Sequence, residues 1–211
     1  MKTILTASLF FATVAFADDA NHPSLFLEKG EVFVEEEFDG EAPPKTIELR
    51  GGSAATMEDG VMVVINEVVI DNPIPRPVIH YKPILEEFIC HMRIRLDGAD
   101  YKPKQPWLDI GGQHRNHFRF EADQVLFSSE AKSLAERTIN NGRPGNMLPL
   151  NEWLYVTVEI EKGKIGLSIN GKTQIYEGDN IETGEKLQMG IKAIPEGKLH
   201  VDYIRIWKKG E

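Results

Sequence analysis

The sequence has almost no cysteine: Cys90 is the only one among its 211 residues. A single cysteine cannot form a disulfide within the chain, so the fold must be held together by its hydrophobic core or by a metal ion. Cys90 alternates with Phe88, Met92 and Ile94. This spacing predicts that Cys90 is a small buried hydrophobic side chain rather than a nucleophile.

The sequence also lacks an excess of basic residues. It has 33 acidic and 24 basic side chains, which give a formal net charge of -9. Domains that bind nucleic acid carry a basic patch or stripe, so this composition argues against a nucleic-acid partner. Residues 76–119 are the exception, with 8 basic and 5 acidic residues. If this segment folds onto one face, that face would attract an anionic ligand.

The only long hydrophobic run lies at the N-terminus. Lys2 precedes an apolar stretch over residues 4–16, and Ala15-Phe16-Ala17 has the small-x-small pattern of a cleavage site. This pattern predicts a secretory signal peptide over residues 1–17. The run is shorter than the roughly 20 residues needed to cross a bilayer. We therefore expect an exported protein, periplasmic or extracellular, with one domain over residues 18–211 and no membrane partner.

Helical periodicity is scarce, whereas two-residue alternation is frequent. Alternating apolar and polar residues predict strands over 88–96, 153–161, 164–169 and 199–207, and Asn170-Gly171 predicts a type I′ hairpin turn. Only residues 129–139 have a helical pattern, which indicates either a short surface helix or a loop. About a dozen short strands separated by turn residues predict an all-β antiparallel sandwich of two sheets. A ligand would lie on the concave outer face of such a sandwich.

Several motifs along the chain resemble those of the concanavalin A-like lectin/glucanase superfamily. They are Glu37–Gly40, Met57–Val61, Phe88–Leu96, Glu152–Glu159, Ile169–Lys172 and Val201–Trp207. More narrowly, the chain is similar to exported bacterial domains of the 3-keto-disaccharide hydrolase-like and laminin-G-like groups. The resemblance implies a jelly-roll sandwich over nearly the whole mature chain and a carbohydrate as the ligand. It does not imply a particular reaction.

The catalytic pattern of the retaining glucanases with this fold is incomplete here. Those enzymes use a Glu-x-Asp-x-x-Glu strand, and retention requires two carboxyl groups about 5 Å apart. The nearest match is Glu121-Ala122-Asp123-Gln124-Val125-Leu126, which has Leu126 in place of the acid/base glutamate. The sequence therefore argues against a retaining glucanase.

A second candidate element lies between Gly111 and His117. Gln113-His114 resembles the Gln-x-His element of some polysaccharide lyases of this fold, although it is one residue shorter. In such a site a polar group neutralises a carboxylate and a histidine removes the adjacent proton. The alternative is a polar loop that enters an ordinary strand. A metal site at His114 and His117 is disfavoured, because no third ligand is evident.

The broadest candidate site is a polar face that we expect neighbouring strands to share. The residues expected to line one basic and aromatic groove are His91, Arg93, Arg95, His117, Arg119, Glu121 and Tyr155, with Trp107 as a stacking surface for a sugar ring. Gln113 and His114 of the preceding element complete the set of expected ligand-binding residues. Trp153 either adds a stacking surface for a sugar ring or covers the end of the core. The alternative is a set of solvated strand faces, whose Arg–Glu pairs contribute little to stability.

The resemblance also implies a calcium ion. Asp202 stands where many relatives bind a structural Ca²⁺, and Glu37 and Asp39 are its natural companions. Carboxylate oxygens are the ligands that calcium prefers. The alternative is that Asp202 accepts hydrogen bonds from the backbone.

These observations leave three functions open. The preferred one is an exported accessory domain that binds or processes carbohydrate, with its site on the concave sheet. The second is a hydrolase or lyase that acts on a sugar derivative and uses His, Arg or Tyr rather than a carboxylate pair. The third is a structural or protein-interaction module. Whether the candidate residues converge in one groove is the geometric test between them.

Overall fold

The chain forms an all-β structure. The computed structural model describes residues 21–50, 52–66, 78–81, 85–99, 106–110, 116–120, 125–129, 138–140, 149–179, 181, 183, 189–194 and 196–211. In this part of the chain the strands are β1 (Lys29–Glu36), β2 (Ile47–Arg50), β3 (Ser53–Glu58), β4 (Val61–Asn66), β5 (Val78–Tyr81), β6 (Phe88–Asp97), β7 (Trp107–Ile110), β8 (Asn116–Phe120), β9 (Val125–Ser129), β10 (Thr138–Asn140), β11 (Trp153–Glu161), β12 (Lys164–Ile169), β13 (Lys172–Glu177), β14 (Met189–Lys192) and β15 (Lys198–Lys209). The predicted signal peptide lies outside the described residues.

The strands form two antiparallel sheets. Sheet A has the order β13-β12-β11-β6-β15-β4-β3, and β1 also pairs with β15. Sheet B has the order β10-β9-β8-β7-β14-β5-β2. The predicted two-sheet antiparallel sandwich is thereby confirmed. No helix in the described part of the chain has the length and hydrophobicity needed to cross a bilayer.

The core lies between the two sheets and is built by the alternation along each strand. Cys90 and Met92 of β6 pack in the same buried cluster as Phe118 of β8 and Phe127 of β9. Burying one large apolar side chain stabilises a fold by about 1.5–3 kcal/mol. Cys90 is fully buried, and this burial raises the pKa of its thiol. The prediction that Cys90 is a buried small hydrophobic residue is confirmed.

Strand β15 lies inside sheet A, where it pairs with β6, β4 and β1, and it contains an irregularity. Its register against β6 shifts between Val201 and Tyr203. A bulge of this kind inserts one extra residue and re-aims the side chains that follow it. Tyr203 and Arg205 consequently lie on the outer face of sheet A, while Ile204 belongs to the core.

Two hairpin turns have the geometry that their sequences predict. Asn170 and Gly171 join β12 to β13 with φ angles of 50° and 77°. Asp59 and Gly60 join β3 to β4 with φ angles of 51° and 78°. A type I′ turn needs a positive φ at both central residues, which Asn-Gly and Asp-Gly tolerate well.

The segment with a helical pattern is the main departure from expectation. Ser129 ends β9 and Thr138–Asn140 form β10, which pairs with β9 in sheet B. Both ends of this segment are therefore strand rather than helix or loop, and the residues between them lie outside the described part. Short strands such as β2 and β7, with four residues each, contain too few alternations to be recognised in the sequence.

Candidate functional site

The candidate site residues lie on two different sheets. Sheet A carries His91, Arg93 and Arg95 on β6 and Tyr155 on β11, whereas sheet B carries Trp107 on β7 and His117 and Arg119 on β8. The inner faces of the two sheets pack together, so their outer faces point in opposite directions. The expectation of one shared groove is therefore wrong. Gln113, His114 and Glu121 lie outside the described residues.

The outer face of sheet B contains a carboxylate–imidazole pair. His117 Nδ1 lies 3.2 Å from Asp109 Oδ1, and the two side chains are 11% and 7% exposed. Directly opposed positions on β7 and β8 bring them together. A carboxylate beside Nδ1 favours the imidazole tautomer with its proton on that nitrogen, which leaves Nε2 as the proton acceptor. This is the arrangement of a histidine that acts as general acid or base.

An aromatic ring and two cationic residues accompany this pair. The ring of Trp107 has its centroid 5.5 Å from that of His117, and Lys192 Nζ lies 5.3 Å from the Trp107 centroid. Arg119 lies directly opposite Trp107 in the register of β7 and β8, and its side chain is exposed. We call this set of Trp107, Asp109, His117, Arg119 and Lys192 the His117 face. It offers a stacking surface and positive charge next to an ionisable pair.

A glycine shapes the neighbouring part of sheet B. A Cβ atom at Gly190 would lie 3.3 Å from His80 Nε2 and 3.3 Å from Trp107 Cζ3. Gly190 thus allows the His80 and Trp107 rings to approach each other over β14. The sequence reasoning missed Asp109, Lys192 and Gly190. For Asp109 a signal existed, since it alternates with Leu108 and Ile110 and so shares a face with Trp107.

The outer face of sheet A is crossed by an N-terminal segment, residues 21–28. The backbone N–H groups of Leu25, Phe26 and Leu27 donate hydrogen bonds of 2.8, 2.7 and 2.7 Å to the Glu159 carboxylate. Glu159 is 0% exposed. A buried carboxylate is costly unless it is fully hydrogen-bonded, and these three donors meet that need. Gly166 makes room, since a Cβ there would lie 2.7 Å from Leu25 Cδ1.

His91 lies beneath this segment. His22 stacks on it with a centroid separation of 4.2 Å, and His22 also contacts the Thr157 hydroxyl at 3.0 Å and the Tyr203 hydroxyl at 2.7 Å. Burial, reinforced by repulsion from His22, lowers the pKa of His91 to about 2. Its Nε2 has no hydrogen-bond partner among the described residues. The structure therefore places His91 as a neutral, packed side chain.

Arg93 and Arg95 lie beside Trp153 and are already paired with acids. The guanidinium of Arg93 lies 4.6 Å from the Trp153 centroid and donates a 2.8 Å hydrogen bond to Asp202. Burial lowers the pKa of Arg93, but the hydrogen bond and charge of Asp202 outweigh it and hold the pKa above its usual value. Arg95 donates to both oxygens of Asp97, at 2.8 and 3.0 Å.

The three acids expected to bind calcium do not form a suitable cluster. Asp202 accepts a hydrogen bond from Arg93, and Glu37 accepts one of 2.9 Å from Arg205. Asp39, which follows the buried Phe38 in the chain, is exposed. The described residues contain no group of three or more His, Cys, Asp or Glu that could hold a metal ion. Guanidinium groups repel a cation, so these residues do not fit a calcium site, and calcium stays a prediction that the structure does not support.

Comparison with solved structures identifies the fold. The catalytic domain of a laminarinase, an endo-1,3-beta-glucanase from Thermotoga petrophila, superposes with a TM-score of 0.61 at 11% identity, over 87% of this chain and 100% of that one. The laminarinase from Rhodothermus marinus gives 0.61 at 13% identity, over 89% and 100%. A GlcNAcα1-4Gal-releasing endo-β-galactosidase from Clostridium perfringens gives 0.63 at 11% identity, over 89% and 65%.

These similarities define a concanavalin A-like jelly roll, the fold of laminarinase and glucanase domains of family GH16. No protein-family model and no curated protein matches the sequence. The narrower likeness to 3-keto-disaccharide hydrolase-like domains is not confirmed. At identities of 11–13% the comparison establishes the fold alone.

Proposed function

We propose that this protein is an exported domain that binds or processes carbohydrate through the His117 face. The observation that carries the proposal is the pairing of Asp109 with His117 beside the ring of Trp107 on the outer face of sheet B. A histidine that a carboxylate holds in position can act as a general acid or base towards a bound substrate. The solved structures that share the fold are described as glucanases and an endo-β-galactosidase.

The composition of the His117 face suits an anionic sugar. Trp107 offers an apolar ring on which the C–H groups of a sugar pack, and Arg119 and Lys192 on neighbouring strands supply positive charge. Arginine and lysine bind carboxylates by charge-assisted hydrogen bonds. Uronate-containing polysaccharides are therefore the first ligands to test.

A second candidate function is an enzyme, and the hydrogen bond from His117 to Asp109 favours it. His117 would accept or donate a proton at the sugar while Asp109 holds its ring in position. A retaining carboxylate-pair mechanism finds no support in the sequence. This chain would use an imidazole in place of one carboxyl group.

The deciding experiment incubates the purified protein with soluble polysaccharides of both charge types, and measures retention and released reducing or unsaturated ends. We expect retention on a polyuronate that weakens at least tenfold in Trp107→Ala. Because charge contributes, retention should also weaken at high salt. Product that disappears in His117→Ala would establish the enzyme.

Phe33→Ala serves as the control, since Phe33 is a 41% exposed aromatic on β1 of sheet A. It should bind as the wild type does. The proposal fails if no polysaccharide is retained or turned over, or if Trp107→Ala and His117→Ala behave like the control. That result would favour a structural or protein-interaction module.

A further inference from the structure

A surface cavity lies on the opposite side of the sandwich from the His117 face. It has a volume of about 350 Å³ and is lined by Asn21, Pro23, Trp153, Tyr155, Asn170 and Gly171. We call it the Trp153 pocket. Sites for small ligands enclose roughly 300–1,000 Å³. A cavity at the lower end of that range suits a single ring rather than a long oligosaccharide.

One wall of the Trp153 pocket is built by the N-terminal segment. Asn21 and Pro23 belong to that segment, and His22 between them is held by the Thr157 and Tyr203 hydroxyls. Three further hydrogen bonds tie the segment to Glu159. The wall is therefore fixed before any ligand arrives, which lowers the entropy that binding must overcome.

The aromatic floor of the pocket is also held in position. The guanidinium of Arg93 lies 4.6 Å from the centroid of Trp153 and 5.5 Å from that of Tyr155, so one cation orients both rings. Both rings are half-buried and keep some exposed surface. Aromatic rings present large apolar surfaces at a low cost in conformational entropy. Such surfaces match the C–H face of a pyranose.

Polar groups around these rings remain available for a ligand. The Asn170 side chain accepts a hydrogen bond from the Tyr155 backbone N–H through Oδ1, which leaves its N–H₂ group as a donor. Among the described residues, the Tyr155 hydroxyl and the Trp153 indole N–H have no hydrogen-bond partner. These donors, with the Asn21 amide, can bind the hydroxyl groups of a sugar.

The charges beside the pocket are balanced. Arg93 is paired with Asp202 at 2.8 Å, and Arg95 with Asp97 at 2.8 Å. Neither arginine brings an uncompensated positive charge to the pocket. An anionic ligand would have to compete with these carboxylates, whereas a neutral ligand would not.

We propose that the Trp153 pocket binds one neutral pyranose unit of a glycan, with Trp153 and Tyr155 packing on the sugar ring and Asn21 and Asn170 binding its hydroxyl groups. The N-terminal segment is an integral wall of this site. The site is independent of the His117 face and would let the domain hold a glycan on one side while the other side engages an anionic sugar.

The test titrates the purified, full-length folded protein with laminaritriose, cellotriose and trigalacturonate and follows amide chemical shifts by NMR. We expect one of the two neutral trisaccharides to shift resonances of Trp153, Tyr155 and Asn170 with a dissociation constant of about 1 mM, which corresponds to roughly -4 kcal/mol. Trigalacturonate should leave those resonances in place. Any shifts it causes on β7 and β8 report on the proposed function and not on this pocket.

Three variants test which side chains contribute to the affinity for the neutral sugar. Trp153→Ala should weaken the neutral sugar at least tenfold, and Tyr155→Phe should weaken it severalfold by removing only a hydroxyl. Trp107→Ala, on the opposite sheet, should leave this affinity unchanged. Tyr155→Phe keeps the ring that Arg93 contacts, so it tests the pocket even if Trp153→Ala fails to fold.

The proposal is overturned if neither neutral trisaccharide shifts the pocket resonances, or if Trp107→Ala abolishes the shifts and Tyr155→Phe does not alter them. The proposal is also overturned if neither neutral sugar shifts these resonances but a proline-rich peptide does. In that case the pocket would bind a protein partner instead of a sugar. Failure of polyuronate binding at the His117 face leaves this outcome unaffected, because the readout is confined to sheet A.

Discussion

The carboxylate of Glu159 accepts a 2.7 Å hydrogen bond from the backbone N–H of Phe26, although the two residues are 133 positions apart. Leu25 and Leu27 donate to the same carboxylate. One buried side chain on β11 thereby anchors residues 21–28 across sheet A. The anchored segment covers His91 and supplies a wall of the Trp153 pocket.

Replacing Glu159 with glutamine should loosen the N-terminal segment. The amide introduced by Glu159→Gln would keep one acceptor oxygen but place an N–H₂ group among three N–H donors. Hydrogen bonds to a charged acceptor contribute about 1.5–3 kcal/mol each, so we expect this variant to lower the free energy of unfolding by about 2 kcal/mol. Urea denaturation measures this loss, and faster proteolysis near Phe26 should accompany it.

Glu161→Gln is the matched control on the same strand. Glu161 is partly exposed and pairs with Lys209 at 2.8 Å. Surface pairs of this kind contribute about 0–1 kcal/mol. An equal loss of stability in the two variants would contradict a special role for Glu159.

His91 should make the fold sensitive to acid. Its pKa is about 2 in the folded protein because burial and the positive charges near it disfavour protonation, against 6.5 without these effects. The unfolded chain therefore binds the proton more readily, so stability is present above about pH 6.5 and is lost as the pH falls. The loss approaches about 1.4 kcal/mol per pH unit below that value.

His91→Leu removes this titration while it keeps a side chain of similar size between His22 and Trp207. We expect its free energy of unfolding to fall less than that of the wild type between about pH 6.5 and 4.5, by about 2 kcal/mol. Urea denaturation at both pH values supplies the comparison. Identical pH dependence in the two proteins would show that His91 is not the buried neutral group.

Gly190→Ala should affect binding more than stability. The added Cβ would lie 3.3 Å from both His80 Nε2 and Trp107 Cζ3, so these rings must separate by a few tenths of an ångström. We expect polyuronate retention to weaken about tenfold, equivalent to about 1.4 kcal/mol, with little change in Tm. Gly40→Ala is the control, since its nearest neighbour would be 3.7 Å away.

A chelator should leave the melting temperature unchanged. The carboxylates of Asp202 and Glu37 are engaged by Arg93 and Arg205, which occupy the place of a cation. Differential scanning calorimetry with EDTA and with added calcium tests this expectation. Stabilisation by calcium that is lost in Asp202→Asn would restore the prediction made from the sequence.

The sequence predicted the strands with many alternations better than the short ones. Strands β6, β11 and β12 lie within a residue of the predicted spans, because each places three or more apolar side chains on one face. Strand β10 has three residues, and the local pattern there predicts a helix or a loop instead. These three residues form a strand because they pair with β9, and the local sequence pattern carries no information about that pairing.

The candidate site, like the strands, was predicted only in part. Alternation correctly placed Arg93 and Arg95 on the face opposite Met92, and His117 on the face opposite Phe118. It could not assign β6 and β8 to different sheets, so residues that looked like one groove lie on opposite sides. The Trp153 pocket could not be predicted from the sequence either, because Asn21 and Pro23 come close to Trp153 only once the N-terminal segment packs on sheet A.

The amino-acid sequence by itself determined the extended backbone, the inward face of each long strand and the type I′ turns, because these depend on neighbours within a few residues. Only the tertiary structure decided which strands share a sheet, that Asp109 is the partner of His117, and that Glu159 holds the N-terminal segment. Those relationships depend on pairing between distant strands, and their free energy comes from burial and hydrogen bonds that exist only once the sheets have assembled.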